Sequence, residues 1–184
     1  MAVCPSLVGL VRLCGADGVT AGLEKVYIIA FKDLAPVSGV AGTPIFTTAT
    51  NGMISDIGLA DDKNYVEIGL LKSTSGIDIK STKNPQNGTA FYTVDFKIVL
   101  SDLTVENEAF VNSVFNQPVS IIAKTRTNKF LVLGLNGQFE VSEVTAGTGT
   151  AEGDLVGYNI SFSGLSGRLV PSVDPALIPT LLEA

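Results

Sequence analysis

The sequence predicts a mainly β protein: one antiparallel β-sandwich or barrel with a single flanking α-helix and extended terminal arms. Three observations predict it. Apolar and polar residues alternate at period two in several runs, as on strands with one dry and one wet face. Asn-Gly pairs stand where such runs must turn. Only residues 104–116 carry a helical spacing instead. On this reading residues 1–22 are an N-terminal arm, 23–168 the β body and 169–184 a C-terminal arm, within one domain spanning 1–184.

The elements follow in chain order. The opening MAVCPSLVGLVRLCGADG lacks the leading basic residues, unbroken apolar run and small-residue cleavage site of a secretory signal, because Arg12 sits inside the apolar stretch. It reads as a strand or arm. Val26 to Phe31 (VYIIAF), Val119 to Lys124 (VSIIAK) and Phe130 to Leu135 (FLVLGL) are too continuously apolar for a water-facing face, so they are expected to be strands covered on both sides. Tyr65 to Leu71 is intermediate, and residues 32–64 show few strand signals. In FYTVDFKIVL, Tyr92, Val94, Phe96, Ile98 and Leu100 share one face, while Thr93, Asp95 and Lys97 share the other. Thr104 is placed to cap a helix, with Glu106 and Glu108 in the first turn, Phe110, Val111, Val114 and Phe115 as its apolar stripe, and Pro118 beyond its end. Asn136-Gly137 between FLVLGL and QFEVSEV predicts a hairpin. With Thr125 to Asn128 as the preceding turn, residues 119–144 read as a three-stranded meander, and Tyr158 to Ser163 adds a fourth strand with Tyr158, Ile160 and Phe162 inward. In the tail, Asp174 and Pro175 open a short helix that Pro179 is expected to end almost at once. So short an apolar tail must lie on its own domain or on a neighbour.

Composition restricts function. The 184 residues are long enough for one sizeable core. Charged residues make up 16%, against about 25% in an average domain, and mean hydropathy is +0.38. A surface this poor in charge is expected to be covered by copies of itself or by partners. The chain has no histidine, which removes His-based nucleophile systems and the commonest metal ligand. A net charge of −6 argues against general adhesion to nucleic acid. No stretch approaches ~18 unbroken apolar residues, so no membrane-spanning helix is expected.

Each candidate site has a plainer reading. The stretch Thr145 to Gly157 is Gly-rich, but Gly153 precedes Asp154 where a phosphate loop needs Lys, and Gly147, Gly149 and Gly153 miss the dinucleotide spacing. It reads as a loop between antiparallel strands. Asp56, Asp61 and Asp62 lack EF-hand spacing and read as a solvated loop. Lys80, Lys83, Arg126 and Lys129 form no stripe with aromatic residues. Cys4 and Cys14 are too few for a disulfide scaffold or a zinc set; a bridge between them stays open, and packed thiols are the favoured reading. No catalytic, metal or cofactor residues are assigned.

The order of features also resembles a recurrent structural protein of phages infecting Bacteroidetes-type bacteria. Cys4 and Cys14 precede GLEKVYIIAF, and late in the chain comes FLVLGLNGQFEVSEVTAGTGTAEGDLVGYNISFSG, with its Asp154-x-x-Gly157-Tyr158 motif; Phe139 matches an aromatic position of related chains. The resemblance covers most of the chain, weakly in residues 32–90. It implies a virion protein assembled in the host cytoplasm. Tail-tube proteins are similar in outline: a β-sandwich or barrel of about eight strands, a flanking helix, a long loop and terminal arms, stacked as hexameric rings around a DNA conduit. The implied partners are copies of itself, other virion proteins and DNA in passage without sequence-specific binding, with no membrane. A head-decoration or head-tail connector protein is the alternative, and a β-sandwich adhesin or a small-ligand-binding barrel stands further off.

Under the tube reading, strand edges pair between neighbours to close rings, while residues 43–64 and the N-terminal arm serve stacking. The expected inter-subunit contacts are Leu7, Leu10 and Val11 in the arm and Leu177, Ile178 and Leu181 in the tail. Trimming residues 1–12 is then expected to leave a folded subunit that no longer stacks, and long tubes of the trimmed protein in electron micrographs would refute the arm's role.

Overall fold

The three runs without a polar face lie side by side in the larger of two β-sheets. The computed structural model describes residues 21–71, 74–151 and 154–182. Within them β1 (Leu23–Ala30) pairs with β7 (Val119–Thr125), and β7 with β8 (Phe130–Leu133), all antiparallel. Beyond β1 lies β4 (Val66–Ile68). Beyond β8 lie β11 (Ser172–Val173), β3 (Ile54–Ile57) and β2 (Phe46–Thr48), so the order is β2-β3-β11-β8-β7-β1-β4. The second sheet is an antiparallel β5-β6-β10-β9 array of β5 (Gly76–Asn84), β6 (Thr89–Ser101), β9 (Phe139–Gly147) and β10 (Gly157–Ser166).

Alternation along the central strands explains why apolar residues occupy both of their faces. Val26, Ile28, Ile121, Ala123 and Leu133 face the smaller sheet, where they meet Val94, Phe96, Ile98, Leu100, Ile160 and Phe162. Tyr27, Ile29, Ile122 and Val132 point the other way, into a second core closed by Ile54, Ile57, Tyr65, Val173, Ile178 and Leu181. The first core holds an aromatic row: Phe96 and Phe162 are cross-strand partners with centroids 6.0 Å apart, and Phe139 stacks on Phe162 at 6.1 Å. Such pairs add about 0.5–1.5 kcal/mol beyond the area they bury.

The helix forms where expected, as α1 (Val105–Phe115). The Thr104 side chain accepts from the Asn107 amide at 3.2 Å, and the Asn107 side chain donates to the Ser101 and Asp102 carbonyls, anchoring the helix to the end of β6. Val111 and Val114 are buried, but Phe115 is 54% exposed. The apolar stripe therefore closes at Val114, because the chain leaves the helix at once for β7 and carries Phe115 to the rim.

Three expectations need correction. Residues 119–144 are not a three-stranded meander: β8 and β9 belong to different sheets, and the Asn136-Gly137 turn carries the chain from one to the other. Gly134 makes this crossing, at φ +79, where a Cβ would lie 2.2 Å from the Val119 carbonyl oxygen; a side chain there is excluded on both counts. The tail is not an extended arm, since β11 enters the larger sheet between β3 and β8. Nor does Pro179 end the helix. Asp174 caps a 3-10 turn at Pro175–Leu177, which runs on into α2 (Ile178–Leu182), so Pro179 falls in its first turn, where it forfeits no helical hydrogen bond.

Elsewhere the turns agree with the reading. Asn51-Gly52 joins β2 to β3, Asn87-Gly88 joins β5 to β6, and Thr125–Lys129 closes the β7–β8 hairpin with Asn128 at φ +60. Residues 32–64, which showed few strand signals, fold into a 3-10 turn and the β2–β3 hairpin.

Phe162→Ala, which empties the centre of the aromatic row, is expected to destabilise by about 3–5 kcal/mol. Phe115→Ala should stay within about 0.5 kcal/mol of wild type. Urea unfolding of the two variants measures both.

Candidate functional site

The buried Ser120–Tyr65 pair is structural. Ser120 is the buried polar residue of the core, and its hydroxyl donates to the Leu133 carbonyl at 3.1 Å. Its single proton is thereby committed, so the 2.9 Å contact with Tyr65 is one in which the phenol donates. Burial pushes the Tyr65 hydroxyl well above its ordinary pKa, which keeps it a donor. The Tyr65 amide in turn donates to the Leu181 carbonyl at 3.0 Å and ties down α2.

The Gly-rich stretch forms the β9–β10 loop, with Gly147 opposite Gly157. Its own acid fills the place an anion would take: the Asp154 carboxylate accepts from the Thr150 amide at 2.8 Å and the Ala151 amide at 2.9 Å. Those bonds hold the Asp154 carboxyl below the usual range. Asp56 lies on β3, and Asp61 and Asp62 in the turn after it; among the described residues no group of three or more metal-ligating side chains is assembled.

Chemistry of a different kind lies on the smaller sheet. Cross-strand register sets Asp78, Asp95, Ser163 and Glu140 in one row, and Lys97, Ser161 and Glu143 in the next row on the same face. The Asp95 carboxylate accepts from the Ser163 hydroxyl at 2.7 Å and from Lys80 at 3.2 Å. The Ser163 bond first, then Lys80, holds its carboxyl below the usual value. Among the described residues β5 pairs only with β6, and β9 only with β10, so both margins of this sheet present unpaired backbone. β5 offers Lys80 and Lys83 along its margin, while β9 offers Glu140 and Glu143 and is bulged at Ser142.

The two ends of the sandwich also differ. Where β10 finishes, a cavity of about 170 Å³ opens between the sheets, walled by Val94, Val132, Leu133, Leu135, Phe139 and Val170. Arg168 stands at its rim with its guanidinium 4.7 Å from the Phe46 ring centroid. Ligand pockets for molecules of drug size run to about 300–1,000 Å³, so this cavity suits a smaller apolar group. Where β10 begins, the Asp102 amide donates to the Val156 carbonyl at 2.8 Å and gathers Leu103, Val105, Leu155 and Val156, all exposed.

Of the residues expected to touch neighbours, Leu7, Leu10 and Val11 lie outside the described residues, as do Cys4 and Cys14. Ile178 and Leu181 are buried in the chain's own second core, and Leu177 packs partly buried against it. Their burial reflects the cover that the outer face of β1, β7 and β8 requires, and it leaves Pro179 and Thr180 as exposed residues of the tail helix. The β5 margin was missed in the sequence, although Ile77 and Ile79 alternate with Asp78 and Lys80 there. No protein-family model, curated protein or solved structure matches the chain.

Ser120→Ala leaves the buried Tyr65 hydroxyl without its acceptor and is expected to cost about 1–3 kcal/mol, whereas Tyr65→Phe leaves the Ser120–Leu133 bond intact and should cost about 0.5–1.5 kcal/mol. Equal losses in thermal unfolding would contradict the assigned proton direction. For Asp95 the lowered folded pKa means that its stabilisation is present above the unfolded carboxylate value of about 3.9 and is lost as pH falls through the folded value. Asp95→Asn should therefore lower stability slightly at pH 7, and the difference from wild type should shrink in acid below about pH 4.

Proposed function

We propose that this chain is a non-enzymatic structural subunit of a phage virion, a tail-tube-like protein that joins copies of itself into rings forming a DNA conduit. The observation that carries the reading is the four-stranded sheet with two open margins of unlike charge. An even number of strands makes β5 and β9 run in opposite directions. A neighbour related by rotation about an axis tilted from the strands thus offers β5 to β9 as an antiparallel partner, and a stagger of four residues sets Lys80 opposite Glu143 on the outer face and takes Asp78 past Glu140. Such pairing is heterologous and closes into a ring when the rotation divides the circle. It also removes the exposed edges that otherwise invite uncontrolled aggregation.

Charge on the face of the sheet turned from the core supports the conduit. Asp78, Asp95, Glu140 and Glu143 outnumber Lys80 and Lys97 on it. If that face lines the lumen, it repels phosphate and lets DNA pass without being held. The low overall charge supports burial of much of the remaining surface against other virion proteins. A head-decoration or connector role is the alternative, and it predicts small closed oligomers or monomers that bind only to capsids.

Purified protein should show rings or tubes in negative-stain electron microscopy. Glu140→Lys with Glu143→Lys should raise the concentration needed for assembly by about tenfold or more, equivalent to at least ~1.4 kcal/mol of association, with an unchanged circular dichroism spectrum. Adding Lys80→Glu, on the outer face of β5, to the same chain should restore part of the assembly. A wild-type protein that remains monomeric at high concentration in sedimentation velocity would refute the reading.

A further inference from the structure

We propose that the two ends of the sandwich are complementary, and that the cavity at one end receives the exposed apolar residues at the other end of a second copy. The inference rests on the reading that this chain assembles with itself, and it adds a contact along the strand direction to the pairing across it.

The strand β10 connects the two surfaces. It begins at Gly157, opposite Ser101, and ends at Ser166, opposite Tyr92; its 10 residues span about 30 Å at ~3.3 Å each. The apolar group at its start and the cavity at its end are therefore too far apart to cover one another within one chain. At the start, Leu103, Val105, Leu155 and Val156 are 38%, 77%, 42% and 42% exposed. They come from the β6–α1 junction and the β9–β10 loop, and the Asp102–Val156 bond and the Asp154 turn hold these segments in place. At the end, Leu165 and Leu169 lie exposed near the mouth of the cavity.

Size and charge both select a second copy as the occupant. A dry cavity of about 150 Å³ accommodates a benzene ring, so 170 Å³ admits a branched aliphatic side chain such as that of Leu155. Among the described residues no carboxylate is paired with Arg168 at the mouth. The opposite end carries Asp102, Glu106, Glu108 and Asp154 around its apolar group. A copy displaced along β10 brings these acids to Arg168 as Leu155 and Val156 enter the cavity. Because donor and receptor surfaces differ, each subunit keeps one end free and growth continues. Phe46, in the segment first assigned to stacking, contributes to the cavity wall.

Two variants of the full-length protein test this. Leu155→Asp with Val156→Asp destroys the inserted group on an exposed loop. Gly167→Phe, at a position where a Cβ meets nothing within 4 Å, places a ring over the cavity. Each variant alone should form single-layer rings but no stacks, with end-to-end association weakened by about tenfold or more. Mixed in equal amounts, the two variants should yield two-layer particles and nothing longer, because one intact cavity meets one intact inserting end. Stacks of wild-type length from either variant would overturn the inference and leave ring formation standing. Stacks that persist while native mass spectrometry finds a small apolar compound in the cavity would overturn it as well. A wild type that forms no rings at all would defeat the reading on which the inference rests.

Discussion

β1, β7 and β8 bury side chains on both faces, so each face requires its own cover, and the chain supplies two that are unlike. One is a regular antiparallel sheet carrying the Phe96–Phe162–Phe139 row. The other is assembled from short pieces distant in sequence: the β2–β3 hairpin, Tyr65, and the tail from Val173 to Leu181. Apolar area removed from water at roughly 25 cal/mol per Å² drives both. The second core also carries buried polar stitching between pieces that are distant in sequence.

Tyr65 and Ser120 supply that stitching. The chain Tyr65–Ser120–Leu133 satisfies two hydroxyls inside a dry layer, and the Tyr65 amide holds the Leu181 carbonyl at the tail. A polar group buried without a partner costs more than a made bond returns, so these contacts specify one arrangement of the outer layer. The tail thereby completes the chain's own second core. Backbone and apolar side chains are left uncovered at the margins of both sheets and at the ends of the sandwich.

Legibility varied with the physical range of the signal. The continuous runs at Val26–Phe31 and Val119–Lys124 announced strands covered on both faces, and the alternation in Tyr92–Leu100 announced one covered face; both are properties of neighbouring residues. Thr104, Glu106 and Glu108 marked the helix start for the same reason. The β5 strand escaped notice because its residues are almost all exposed, so no burial pattern was imprinted on them. The Asn136-Gly137 turn was legible as a turn and misleading as a hairpin. Turn chemistry sets the local bend, whereas the sheet that the next strand joins depends on the Gly134 crossing and on where Phe139 finds its core.

From its residues alone this chain was determined to be β-rich, sparsely charged, acid-leaning and without histidine, with its strands, its helix and most of its turns placed by short-range patterns. The tertiary structure alone decided that β8 and β9 lie in different sheets, that Ile178 and Leu181 close the chain's own second core, that β5 and β9 form opposite margins, and that a cavity and an apolar cluster occupy opposite ends. Each of these depends on contacts between residues far apart in sequence, and hydrophobic periodicity records how deeply a residue is buried without recording which partner buries it.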